Sequence, residues 1–118
     1  EPMAGLDAPM QHELAALLDR LAARGVTVLL STHDVDFAYR WADRIHLMAD
    51  GRCIASGPTQ QVARQEDALR AAGQRLPAAL ALHALLAERG VLESGSAPRS
   101  IDAVLDALRS THPQETIT

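Results

Sequence analysis

The feature that most constrains the fold is a short apolar run, Val26 to Ser31, that directly follows an amphipathic helical pattern. Leucines recur at helical spacing between Pro9 and Arg24. Asp7 is the expected N-cap of this helix, with Pro9 close to its first turn, and Gly25 is a residue at which such a helix commonly ends. The run itself is continuous and contains β-branched residues, which favours a buried parallel strand. A helix followed at once by such a strand predicts an α/β layered fold.

A β-hairpin is predicted further along the chain. Asp50-Gly51 separates two apolar runs, over residues 45–48 and 52–55. Asp and Gly suit the two central positions of a hairpin turn, because both positions can require a positive φ. Short helices are predicted on either side of the hairpin, over residues 35–42 and 60–64.

Beyond residue 65 the pattern changes, since no further strand is indicated. Three helical segments are predicted there, over residues 66–72, 78–89 and 101–110. We therefore expect a boundary between an α/β segment, residues 1–64, and a helical extension, residues 65–118. The tail from Thr111 to Thr118 is expected to fray.

Composition excludes several classes of function. All 11 basic residues are Arg, the formal net charge is −4, and no cluster of Arg forms a basic face, so a nucleic-acid partner is not expected. The single cysteine, Cys53, rules out an intramolecular disulfide and suits a reducing, cytoplasmic setting. The five histidines have scattered spacings, so no metal site is predicted.

The order of the polar loop residues carries more information than any of them alone. Glu1-Pro2-Met3-Ala4-Gly5-Leu6-Asp7 precedes the helix, and Ser31-Thr32-His33-Asp34 follows the strand. With the later hairpin and the Gly57-Pro58-Thr59 that ends it, this order resembles the second half of an ATP-binding-cassette (ABC) ATPase. The resemblance covers residues 1–64 and implies the C-terminal part of a P-loop NTPase domain, followed by the helical extension.

The resemblance implies a role for each matched residue. Glu1 matches the catalytic carboxylate that orients and polarises the water attacking the γ-phosphate. His33 matches the histidine that contacts the γ-phosphate, so it is both a catalytic and a nucleotide-binding candidate. Gly5, Leu6 and Asp7 match the D-loop, which contacts a second ATPase subunit across the bound ATP.

Other family motifs are missing from the sequence. With no Lys, it contains no G-x-x-x-x-G-K-[ST] loop, and it has no Leu-Ser-Gly-Gly-Gln-type signature. In the family these parts bind ATP and Mg²⁺, so both cofactors would require residues outside this sequence. The opening Glu1-Pro2-Met3 is typical of a sequence that starts within a longer protein. We expect the isolated segment to be inactive and only marginally stable.

The extension is similar to that of the energy-coupling-factor and cobalt/nickel importer ATPases. The matching stretches are residues 60–69, Arg75-Leu76-Pro77 and residues 97–108. This implies an ATP-binding subunit of a cobalt or nickel importer, at the cytoplasmic face of the plasma membrane. Its partners would be a second ABC ATPase subunit and the transmembrane subunits. Two alternatives remain open: an ABC ATPase for a vitamin or amino acid, and a non-catalytic helical module for dimerisation or regulation.

Overall fold

The computed structural model describes residues 1–95 and 97–111 of the chain. It divides into two compact units, Glu1–Asp34 and Val35–Thr118. Helices and strands are both present, which confirms a mixed α/β composition. Within the described ranges, no helix combines the length and apolar character needed to cross a bilayer. The predicted fraying of the tail concerns residues 112–118, which lie outside the described residues.

Helix α1, Ala8–Ala23, forms most of the first unit. It begins where Asp7 was expected to cap it: the Asp7 side chain accepts a hydrogen bond of 3.0 Å from the Met10 N–H. Pro9 lies in the first turn, where its missing N–H costs no helical hydrogen bond. The predicted helix start is therefore confirmed. The Asp7 carboxylate satisfies one of the backbone N–H groups in the first turn that have no partner within the helix.

The end of α1 is also the predicted one. Gly25 has φ +84°, a left-handed conformation that glycine adopts without a steric penalty. The N–H groups of Gly25 and Val26 donate to the carbonyls of Ala22 (3.0 Å) and Leu21 (3.1 Å). This pair of bonds is a Schellman motif, which turns the chain sharply out of the helix.

The prediction of a buried strand over Val26–Ser31 is wrong for the structure as described. Residues 26–32 belong to no strand, and the described residues contain a single two-stranded sheet located elsewhere. Leu29 is 86% exposed and Val26 is 47% exposed. The reason is physical: an apolar run becomes a buried strand only where neighbouring strands supply ladder hydrogen bonds and cover its side chains. Residues 1–34 supply no such neighbour.

The described residues of the second unit form the hairpin and five helices. In chain order they are α2 (Val35–Trp41), β1 (Arg44–Ala49), β2 (Arg52–Pro58), α3 (Thr59–Val62), α4 (Glu66–Ala71), α5 (Ala78–Glu88) and α6 (Ile101–Thr111). Each of these elements was predicted from the sequence, with small differences at the ends.

The hairpin has the predicted turn. Strands β1 and β2 are antiparallel, with Arg44 opposite Pro58 and Ala49 opposite Arg52. Asp50 and Gly51 have φ of +51° and +74°, the two positive values that a tight Asp-Gly turn requires. The pairing shifts register after Leu47, so the hairpin carries a bulge there.

Two hydrophobic clusters hold the second unit together. The larger core consists of Tyr39, Ala63, Ala79, Leu80, Leu92, Ala97 and Val104. The smaller core consists of Leu47, Val62 and Leu69. Leu76 packs against both clusters and so joins them. The division near residue 65 remains a prediction, while the larger core draws residues from both sides of that position.

Candidate functional site

The first unit brings Glu1 together with the segment that follows the apolar run. The Glu1 carboxylate accepts hydrogen bonds from the backbone N–H of His33 and from the Thr32 side chain. A turn at the start of the chain, with hydrogen bonds from Ala4 N–H to the Glu1 carbonyl (3.2 Å) and from Leu6 N–H to the Met3 carbonyl (3.3 Å), shapes the backbone around Glu1. Two segments about 30 residues apart in the sequence are thus joined by hydrogen bonds to one carboxylate.

These hydrogen bonds favour the ionised form of Glu1. The Thr32 hydroxyl makes the largest contribution to lowering the pKa of the Glu1 carboxyl, and the His33 amide makes the next largest. Desolvation opposes them but does not reverse the shift. A carboxylate that accepts hydrogen bonds in its charged form is harder to protonate. At neutral pH Glu1 is therefore an exposed anion whose carboxylate is anchored.

Thr32 is the residue that sequence reasoning missed as part of this site. The family resemblance gives Thr32 no role of its own, whereas its side chain donates a hydrogen bond to Glu1. Its Oγ1 also accepts a hydrogen bond of 3.0 Å from the Asp34 N–H. A hydroxyl can donate one hydrogen bond and accept others, so Thr32 can serve both partners at once. Its place directly before His33 was the signal that could have revealed it.

His33 meets Glu1 through its backbone. The N–H group of His33 donates to the carboxylate, while the residue as a whole is exposed. A histidine ring in solvent can donate a hydrogen bond from one nitrogen and accept one at the other. The His33 imidazole and the Glu1 carboxylate thus belong to two loop segments that this backbone hydrogen bond joins.

The three residues predicted to form the D-loop lie between Glu1 and α1. Gly5 is exposed and has φ +74°, so the chain turns there in a conformation that favours glycine. The Leu6 carbonyl accepts a hydrogen bond of 3.1 Å from the Gln11 side chain. Asp7 caps α1 through its hydrogen bond to Met10. The contacts of Leu6 and Asp7 thus tie this loop to the first turn of α1.

No complete metal site is formed by these residues. Among residues 1–95 and 97–111, no group of three or more His, Cys, Asp or Glu side chains is arranged to hold a metal ion. In nucleotide sites Mg²⁺ is held by one or two carboxylates together with phosphate oxygens and waters. The sequence has no Lys to build a phosphate-binding loop.

Comparison with known proteins identifies relatives of the chain. The energy-coupling factor transporter ATP-binding protein EcfA2 of Methanospirillum hungatei is 38% identical over 112 residues, which are 95% of this chain and 28% of that protein. A Streptomyces coelicolor protein, named as an ABC transporter ATP-binding protein, is 45% identical over 103 residues, 86% of this chain and 36% of its own length. The energy-coupling factor transporter ATP-binding protein EcfA of Carboxydothermus hydrogenoformans is 49% identical over 57 residues, 48% of this chain and 21% of that protein.

No family model matches the chain. The chain spans 28% and 36% of the length of the first two relatives, so it corresponds to part of each. The alignments nevertheless cover 95% and 86% of the chain itself, so they include His33 and most of the helical extension. The chain thus belongs to the ATP-binding proteins of ABC transporters, as a segment that matches part of them.

Proposed function

We propose that the protein carrying this segment is the ATP-binding subunit of an ABC importer, and that Glu1 is its catalytic carboxylate. One observation supports the assignment of Glu1 above all: its carboxylate is anchored by the Thr32 hydroxyl and the His33 amide. The family of the relatives implies a P-loop NTPase domain that binds ATP and Mg²⁺ through residues outside this segment.

In this proposal the carboxylate of Glu1 orients the attacking water and accepts its proton. Transfer of the γ-phosphoryl group depends mainly on positioning and on stabilisation of charge, so an anchored carboxylate suits the task. A glutamate carboxylate is unprotonated at neutral pH, as a base must be, and the hydrogen bonds from Thr32 and His33 hold its orientation. The His33 ring would donate a hydrogen bond to a γ-phosphate oxygen and hold that group beside the water.

The proposed partners are a second ATPase subunit and the transmembrane subunits of the importer, at the cytoplasmic face of the membrane. Gly5, Leu6 and Asp7 would meet the second ATPase subunit. Support comes from the order of these loops and from the way α1 anchors Leu6 and Asp7. A loop fixed at one end by a helix start can present its exposed residues to a partner in a defined conformation.

For the transported substrate we propose cobalt or nickel ions. Two of the relatives described above are named as energy-coupling factor transporter proteins, which supports the importer class but not the ion. Uptake of labelled Co²⁺ or Ni²⁺ by the reconstituted complex tests the proposal. Uptake of a vitamin or an amino acid with no metal uptake would reject the metal assignment and leave the ATPase assignment standing.

The role of Glu1 is tested by Glu1→Gln in the full-length protein. The amide keeps the shape of the side chain but cannot act as the base, so ATP binding should persist while turnover falls by about 100-fold or more. Glu13→Gln, on the exposed surface of α1, is the matched control and should leave turnover unchanged. Unchanged hydrolysis by Glu1→Gln would show that Glu1 is not the catalytic carboxylate.

A further inference from the structure

Helix α2 is held at both ends by side-chain hydrogen bonds to the residues that follow the hairpin. This helix has seven residues, Val35–Trp41, and begins two positions after His33 in the sequence. Isolated helices of this length are not stable in water, so its conformation depends on tertiary contacts. Those contacts come from residues 60–104 of the same unit.

Arg99 binds the C-terminal end of α2. Its Nε donates a hydrogen bond of 2.9 Å to the Tyr39 carbonyl, and its Nη2 donates to the Ala42 carbonyl. The last carbonyls of a helix lack partners within the helix and carry partial negative charge. A guanidinium satisfies two of them at once and places a positive charge where the helix dipole favours it.

Asp36 binds the extension from the first turn of α2. Its carboxylate forms two hydrogen bonds to the Arg75 guanidinium, at 2.7 and 3.4 Å. It also accepts a hydrogen bond of 2.8 Å from the N–H of Ala78, the first residue of α5. One carboxylate on α2 thus binds both the loop before α5 and the start of that helix.

Between these two contacts, Tyr39 anchors the middle of α2. It is fully buried and belongs to the larger core, together with Leu80 of α5 and Val104 of α6. Its hydroxyl donates a hydrogen bond of 3.2 Å to the Gln60 side chain. Polar contacts at both ends and an aromatic anchor between them leave α2 little freedom to shift within its unit.

We propose that Arg99 is a positioning residue for the candidate site, with Asp36 and Arg75 as the second contact that holds the same helix. The proposal rests on the proposed function, because it concerns how the His33 segment is held during ATP hydrolysis. Only Asp34 lies between His33 and α2 in the sequence. If the loss of Arg99 makes α2 more mobile, the backbone transmits that motion to His33. The extension would thereby tune turnover without touching the nucleotide.

The test compares two arginines of the extension in the full-length protein. Arg99→Ala removes both donors to α2, whereas Arg109→Ala, the control, removes an exposed contact to Asp106 within α6. We expect hydrogen–deuterium exchange of residues 35–42 to rise about tenfold in Arg99→Ala. We also expect kcat for ATP hydrolysis to fall about three- to tenfold, with KM for ATP changed by less than about twofold. Arg109→Ala should match the wild type in all three quantities.

Unchanged exchange in Arg99→Ala would overturn the proposal, and so would faster exchange with an unchanged kcat. If Arg99→Ala does not fold, Arg99→Lys decides the question. A lysine ammonium lacks the planar fork that reaches two carbonyls, so an intermediate rise in exchange and an intermediate fall in kcat are expected. Wild-type behaviour of Arg99→Lys would count against the proposal. Full activity of Glu1→Gln would instead reject the proposed function, while exchange would still report whether Arg99 holds α2.

Discussion

The two units differ in how much apolar surface they bury. In Glu1–Asp34, helix α1 has no buried residue, although its leucines recur at helical spacing. In Val35–Thr118, side chains such as Val62 and Val104 are 0% exposed. The residues proposed for chemistry, Glu1 and His33, lie in the first of these units. The polar geometry of a site and the packing that stabilises a fold can thus reside in different parts of one chain.

The largest expected difference between the units is in hydrogen exchange. In the 118-residue chain, amides in the middle of α1 should exchange about a thousandfold faster than those in the middle of α5. The reason is that α5 contributes Ala79, Leu80 and His83 to the interior, whereas α1 contributes no buried residue. Residue-resolved exchange measured by NMR checks this. Equal protection of the two helices would show that α1 is packed as well in solution as α5.

Core substitutions should show the same contrast in the free energy of unfolding. Leu69 is 2% exposed in the smaller core, so Leu69→Ala should lower the unfolding free energy by about 2–4 kcal/mol. Leu29 is 86% exposed, so Leu29→Ala should change it by less than about 0.5 kcal/mol. Urea denaturation followed by circular dichroism gives both values. A similar loss in both variants would show that Leu29 is packed in solution.

Removal of the His33 side chain tests the proposed part of the first unit in ATP hydrolysis. In the full-length protein, His33→Ala should lower ATP turnover by about tenfold or more, because it removes the proposed γ-phosphate donor. The midpoint of thermal unfolding should stay the same, since His33 is exposed. His12→Ala, on the exposed surface of α1, is the matched control. If His33→Ala hydrolyses ATP at the wild-type rate, the His33 side chain does not take part in hydrolysis.

The smallest effect concerns the pH dependence of the second unit. Partial burial raises the pKa of the Asp36 carboxyl, but Arg75 and the Ala78 N–H outweigh it and hold that pKa below its usual value. The stabilisation is therefore present above the unfolded pKa of about 3.9 and is lost as the pH falls through the lower folded pKa. Asp36→Asn should lower the unfolding free energy by about 0.5–1 kcal/mol at pH 7, because the ion pair is partly exposed.

The difference between Asp36→Asn and the wild type should shrink as the pH falls below about 4. Urea denaturation at a series of pH values provides the measurement. Asp67→Asn is the control, since Asp67 forms a fully exposed pair with Arg70 at 3.7 Å and should show little effect at any pH. If the difference in unfolding free energy between Asp36→Asn and the wild type stays the same in acid, the ionised carboxylate is not its cause.

Sequence patterns were sufficient for elements whose causes are local. The Asp7 cap, the Gly25 end and the Asp50-Gly51 turn depend on residues within a few positions, and the structure has all three. The strand over Val26–Ser31 could not be predicted in the same way, because a strand needs distant partners. The link from Arg99 to α2 was equally invisible, since it joins residues about 60 positions apart.

The candidate site shows the same limit. The sequence indicated Glu1 and His33 through a family resemblance, but no periodicity could show that the contact to Glu1 is made by the His33 backbone. Thr32 was missed because its side chain acts across 31 positions of chain. Such contacts depend on where two loops meet in space. That meeting point is set by how the intervening helix begins and ends.

In the proposed function, the carboxylate held by Thr32 is the group that acts on water. A double-mutant cycle of Thr32→Val and Glu1→Gln in the full-length protein, measured by single-turnover ATP hydrolysis, tests it most directly. We expect Thr32→Val to slow hydrolysis about tenfold in the wild-type background and to have no further effect in the Glu1→Gln background. An equal slowing in both backgrounds would contradict it, because Thr32 would then act independently of Glu1.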